Sequence, residues 1–206
     1  MARVLRRYRL ILPFSYVVRK TLTQHKEYKA ADEKALLILM ISRDEAIELV
    51  SGLSRFSHLL MVSAMMKKLA ERFGENGKKW ELTGLLHDLD IDDTQNDMSK
   101  HGVIAAERLE GKLPEICLHA IRAHDFRTGV IPMSKLDKAL IAVDSVAVLV
   151  ERMKESFQKL STEALKIKME DTSHEQPWHK DNILRCGEIG IRLDEFLSIC
   201  LEPIRS

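Results

Sequence analysis

The residues in this chain best suited to chemistry are histidines and aspartates spread through its middle. Eight His occur in 206 residues. His58 shares a helical face with Val62, Met65 and Leu69, so it points inward. His87 and Asp88 close the apolar run Gly84-Leu85-Leu86, and His124 ends a segment three residues after Ile121. Asp144 is the sole charge between Ala139 and Val150, with Leu140, Ala147 and Val150 on its helical face. A buried carboxylate must be paired, neutralised or bound to a metal. Each feature alone has a plainer reading: an inward His is more often a hydrogen-bonded core residue, and a buried Asp a cap or salt-bridge partner. Together they differ. Imidazole nitrogens and carboxylate oxygens near the ends of four helices can converge on one divalent ion, a first-row transition metal or Mg, with coordination positions left open.

Helices must position these groups, and the sequence supplies them. Leu, Ala, Lys, Glu and Met are abundant, whereas the 9 Gly, 5 Pro and 5% aromatics are too few for an all-β sandwich or a linker-rich chain. Ser42-Arg-Asp-Glu45 has the spacing of a capping box ahead of an apolar run. Helices are expected over 54–74 with Gly74 as the C-terminal cap, over 77–88, and over 99–110 closed by Gly111. Others are expected over 114–124 from Pro114, over 135–155 capped by Ser134, and over 161–170 and 180–201 on either side of Pro177-Trp178. The acidic stretch 89–94 reads as a loop. The fold class is therefore all-α, a single-domain bundle of about six to eight helices.

Composition limits the partners. The net charge of +1 does not suit a nucleic-acid-binding polycation, and no apolar run reaches membrane-spanning length. Cys117, Cys186 and Cys200 are odd in number without CxxC spacing, which argues against disulfides and a thiolate zinc site and favours the cytoplasm. Residues 1–40 read as a basic appendage, with Arg3, Arg6, Arg7, Arg9 and Arg19 against the single acid Glu27 in the first thirty positions. Met40 stands just before the first clear helix start, so this segment is expected to be dispensable for activity. The bundle is divided into a metal-binding part over 41–160 and C-terminal helices over 161–206 that pack on it.

The ordered set His58, His87-Asp88, Asp144 resembles the signature of the HD-domain metal-dependent phosphohydrolases, and His101 and His124 stand where binuclear members carry two further histidines. The spacings are 29, 14, 23 and 20 residues, in family order. The resemblance covers about residues 45–155. It implies that His58, His87, Asp88 and Asp144 hold one divalent ion (Mn, Mg, Fe, Co, Ni or Zn). It also implies that His101 and His124 help hold a second, bridged through Asp88. The implied reaction is hydrolysis of a phosphomonoester or phosphodiester by metal-activated hydroxide. The expected substrate is a small phosphorylated metabolite, foremost a nucleotide, and the oligomeric state is left open.

Two further groups of residues enter on that reading. Asp90, Asp92 or Asp93 could orient the water or donate a proton, with Asp88 and Asp90 the expected catalytic carboxylates. Lys100, Arg122, Arg127 and Lys135 could steer phosphate. His119 is offset and points away, whereas His174 and His179 could reach the mouth of the pocket. The chain departs from many relatives in having Asp90-Ile91 where they have Gly-Lys, so the phosphate contact made by that Lys must come from elsewhere. It also lacks the Gly-Tyr-Pro motif of the cyclic-dinucleotide branch. The competing reading is a non-catalytic helical module that binds a metal or nucleotide as a sensor.

Overall fold

The computed structural model describes residues 40–153 and 160–205; the reading of residues 1–40 as an appendage falls almost wholly outside them. The first described helix, α1 (Arg43–Val50), starts on the expected capping box: the Ser42 side chain accepts from the Glu45 amide, and the Glu45 carboxylate takes the Ser42 N–H at 2.8 Å. Next come α2 (Phe56–Phe73), ended by Gly74 in the left-handed region, and α3 (Gly77–Leu86), capped by Asn76. Short α4 (Ile91–Thr94) lies in the stretch expected to be a loop.

The helix expected over 99–110 is not continuous. A 3₁₀ turn at Met98–Lys100 is followed by Gly102 at φ 79° and then by α5 (Val103–Arg108). α6 (Glu115–Ala123) uses Pro114 as its N-cap, and α7 (Lys135–Arg152) starts on a second capping box between Ser134 and Asp137. After α8 (Thr162–Ser173), the expected 180–201 helix is also split. Pro177 opens α9 (Pro177–Leu184) rather than breaking it, a 3₁₀ segment runs to Ile189, Gly190 turns left-handed, and α10 (Leu193–Arg205) completes the chain.

α2 and α3 form the most intimate pair, and α7 crosses both; α10 covers α2, while α9 lies along α7. Leu59, Met65, Met66 and Leu69 of α2, Leu82, Leu85 and Leu86 of α3, Leu140 and Leu149 of α7, and Phe196 of α10 are all fully buried. Each such side chain contributes about 1.5–3 kcal/mol of apolar transfer. Gly84 permits the α2–α3 approach: a Cβ there would lie 3.0 Å from the Val62 carbonyl oxygen and 3.0 Å from Met66 Cγ. Close packing at Gly84 brings the end of α3, with His87 and Asp88, beside His58. Among the described residues there are no strands, and no helix is long and apolar enough to cross a membrane.

Candidate metal centre

Four histidines and two aspartates meet at one end of the α2–α3–α7 layer. His58 comes from the first turn of α2, His87 caps α3, Asp88 follows it, and Asp144 comes from the middle of α7. His101 precedes α5, and His124 caps α6. Asp88 Oδ1 is the hub. It lies 3.1 Å from His87 Nε2, 3.0 Å from His101 Nε2 and 3.2 Å from His124 Nε2. Asp144 Oδ1 lies 2.9 Å from His58 Nε2 and 3.6 Å from His87 Nε2. Two groups could each hold a metal, His58–His87–Asp144 and His87–Asp88–His124, and they share His87.

The back of each ring explains its orientation. His87 Nδ1 faces the Gly84 carbonyl at 2.8 Å, His124 Nδ1 faces the Ile121 carbonyl at 2.6 Å, and His101 Nδ1 faces Asp90 Oδ1 at 2.9 Å. An oxygen acceptor on that side keeps the proton on Nδ1. Nε2 is then the atom that takes either a second proton or a cation. His87 Nε2, buried and without a hydrogen-bond partner among the described residues, points at two carboxylate oxygens. An orphaned buried nitrogen inside a ring of N and O donors fits a first-row divalent ion or Mg.

The charge of each group in the cluster is set by burial and by its neighbours. Burial disfavours charge on every member. For His87 it prevails, and the imidazole stays below its usual range. For His58, hydrogen bonds to Asp144 and Glu151 outweigh burial and raise the pKa to about 9. Asp88 and Asp90 do the same for His101, to about 10, and Asp88 holds His124 up as well. Burial would raise both aspartates, but their imidazole partners hold Asp88 and Asp144 well below the usual carboxylate range.

Imidazoles raised in the fold add stability that is complete below about pH 6.5, the unfolded value, and is lost as pH climbs through 9 to 10. Metal binding displaces those protons, so its affinity rises with pH. Thermal melts from pH 6 to 10 should therefore slope downward in EDTA. The gain in melting temperature on adding Mn should grow over the same range. Parallel slopes with and without Mn would contradict the shared role of these nitrogens.

Several expected roles change. Asp144 is not fully enclosed: its side chain keeps 21% exposure and lines a cavity of about 490 Å³ above the cluster. The ligand and salt-bridge readings do not exclude one another, since the Asp144 oxygen that could take a metal also faces His58 Nε2 at 2.9 Å. Asp90, expected as a catalytic carboxylate, has both oxygens engaged by the protein. It is fully buried, and Oδ2 accepts from the Gly102 and Ala105 amides at 2.8 and 3.0 Å while Oδ1 takes His101. Asp90 thus caps α5 from a distance and fixes the His101 ring. Asp92 caps the Ser54 amide at 3.0 Å, and Asp93 pairs with Arg108 at 2.7 Å.

Of the four expected phosphate contacts, only Arg127 lines the cavity, and it is forked onto Asp125. Lys100 pairs with Asp97, and Arg122 with Glu115. Lys135 lies over Phe73, fifteen residues along α2 from His58 and so on the order of 20 Å away. His119 bonds Asp137 away from the cluster, and His179 lines the cavity whereas His174 does not.

Sequence reasoning missed Arg55 and Glu151. Arg55 reaches Asp88 Oδ2 and Glu151 Oε2, each at 3.3 Å, and His58 Nδ1 at 2.8 Å; Glu151 Oε2 is 3.3 Å from the same Nδ1. Position 151 falls two helical turns after Asp144, on the same face, which is the signal that could have found it. Glu151→Gln should weaken Mn binding by about 10- to 100-fold, the usual cost of losing a carboxylate behind a ligating His. Calorimetric titration of the variant checks this; unchanged affinity would remove Glu151 from the site.

Comparison with known protein families matches the HD domain over residues 55–174, more than half the chain. The protein belongs to the HD-domain family. It thereby joins a superfamily of metal-dependent phosphohydrolases, and its His/Asp cluster is of the kind that could hold their divalent metal. No curated protein and no solved structure matches the chain. This HD domain's matched segment stops before α9, so the wall of the cavity formed by Trp178, His179 and Asn182 lies outside it.

Proposed function

We propose that this HD domain is a metal-dependent phosphohydrolase acting on a phosphomonoester or phosphodiester of a small metabolite, foremost a nucleotide, in the cytoplasm. The observation that carries the reading is the convergence of three imidazole Nε2 atoms on Asp88 Oδ1 at the base of an open cavity. His58, His87, Asp88 and Asp144 would hold one ion, and Asp88, His101 and His124 a second. Bound there, the metal supplies Lewis-acid stabilisation of phosphoryl charge and a water-derived nucleophile at neutral pH. The chain's own residues supply the rest. Asp90 and the Gly84 and Ile121 carbonyls lock the imidazoles, Glu151 orients His58, and Arg55, standing over Asp88 with 31% side-chain exposure, offers a cation to phosphate oxygens. Arg55 and Arg127 are both engaged by carboxylates, so a phosphate has to displace or share those contacts.

One observation favours the competing sensor reading: Ile91, at the position where relatives carry a phosphate-binding Lys, lines the cavity. The experiment that decides is metal analysis of the purified, tag-free chain, then a screen of phosphorylated metabolites with Mn, Mg, Co and Ni. One or two equivalents of metal per chain and metal-dependent release of phosphate are expected. A chain that holds no metal and binds neither Mn nor Ni by calorimetry overturns the centre. Metal binding without turnover of any ester supports the sensor.

A further inference from the structure

The wall of the cavity beyond the family-matched segment has its own chemistry. α9 turns Trp178 and Asn182, one helical turn apart, toward the cavity, and α7 contributes Ser145 and Arg152 beside them. Trp178 is 40% exposed, so part of its indole is open to a ligand in the cavity. Behind it runs a one-directional hydrogen-bond chain. Asn182 Nδ2 donates to Ser145 Oγ at 3.1 Å, and Ser145 Oγ donates to His179 Nδ1 at 3.4 Å. His179 Nε2 then donates to the Gln176 side-chain oxygen at 3.1 Å. Burial holds His179 below the usual imidazole range, consistent with a neutral ring that accepts at Nδ1. The chain fixes the Asn182 amide by its nitrogen. Its carbonyl oxygen is then left as an acceptor with no partner among the described residues. Arg152 likewise has no carboxylate partner among them.

We propose that Trp178 and Asn182 form the subsite for the organic part of the substrate, a planar heteroaromatic ring that stacks on the indole and donates an exocyclic N–H to Asn182 Oδ1. The inference rests on the phosphohydrolase reading of the same cavity for its reaction, but not for its binding. The metal cluster takes the phosphoryl group at the floor, and α9 selects what is attached to it. A polar wall held rigid by Ser145 and His179 discriminates strongly, because a ring without the donor leaves a carbonyl unsatisfied. Aliphatic phosphate esters gain nothing from the indole face.

The test uses the full chain loaded with Mn and three probes: adenosine 5′-monophosphate, inosine 5′-monophosphate, which lacks the exocyclic amine, and glycerol 3-phosphate. Adenylate should quench tryptophan fluorescence and glycerol phosphate should not. Trp80 is only 4% exposed, so the quench should vanish in Trp178→Phe. In Trp178→Ala the ratio of kcat/KM for adenylate over glycerol phosphate should fall by about 10- to 100-fold, the effect of losing one stacked base, with partial recovery in Trp178→Phe. Asn182→Ala should reduce the preference for adenylate over inosinate. A substrate ratio unchanged in Trp178→Ala, with no quench in the wild type, overturns the subsite even if every ester is hydrolysed. A Trp178-dependent quench with no turnover of any ester keeps the subsite and overturns the hydrolase reading instead.

Discussion

Asp88→Asn should reduce turnover by roughly a thousandfold or more and abolish the Mn-dependent rise in melting temperature. Loss of one preorganised electrostatic group already costs about 10²–10³ in rate, and Asp88 faces three imidazole nitrogens through a single oxygen. Asn keeps the volume but removes the charge and turns an N–H toward nitrogens that need a cation. The change also acts without metal. Asp88 helps hold His101 up at about 10 and raises His124, so the variant leaves the imidazolium of this pair buried without its counter-charge. Breaking a buried ion pair costs about 3–5 kcal/mol, and this is an upper limit because the imidazoles can shed their protons. Melts in EDTA should therefore show a loss that shrinks as pH rises from 6 to 9. A variant that melts like the wild type in EDTA and still gains from Mn would remove Asp88 from the centre.

Gly102→Ala should be the most damaging of the glycine-to-alanine changes. Gly102 sits at φ 79°, where a side chain costs about 1–3 kcal/mol. Its Cβ would lie 2.4 Å from the Ile121 carbonyl oxygen and 3.0 Å from the His124 ring. That carbonyl is the acceptor for His124 Nδ1, so relieving the clash moves the group that orients His124. The melting temperature should fall by roughly 5–10 °C for a chain of this size. Mn affinity should fall in whatever fraction remains folded. Gly111→Ala is the control: it also has positive φ, at 73°, but an added Cβ meets nothing within 4 Å. It should carry the backbone cost alone and leave Mn affinity intact. Equal affinity losses in the two variants would refute the coupling through Ile121.

The two variants mark the boundary between sequence and tertiary structure. Asp88 was visible in the chain because an acid after an apolar run at the end of a helix is costly unless it binds something. The same logic exposed His58, His87, His124 and Asp144, and helical periodicity with Ser, Asn and Gly caps placed most of the helices that carry them. Periodicity failed at Gly102 and Gly190, where one left-handed residue splits an otherwise helical pattern. Asp90 read as a catalytic carboxylate in an acidic loop because the amides it caps, Gly102 and Ala105, are 12 and 15 residues away. Lys100, Arg122 and Lys135 looked like phosphate contacts for the converse reason: the sequence shows their charge but not the carboxylate or ring that each one meets. Glu151 and the α9 wall belong to the cavity because α7 turns Asp144, Ser145, Glu151 and Arg152 to one side and α9 packs along it. The sequence determined which groups could not be left without a partner, since that follows from burial and residue type. Which partner each one finds was decided by tertiary structure, because hydrogen bonds and ion pairs act over about 3 Å in space regardless of separation along the chain.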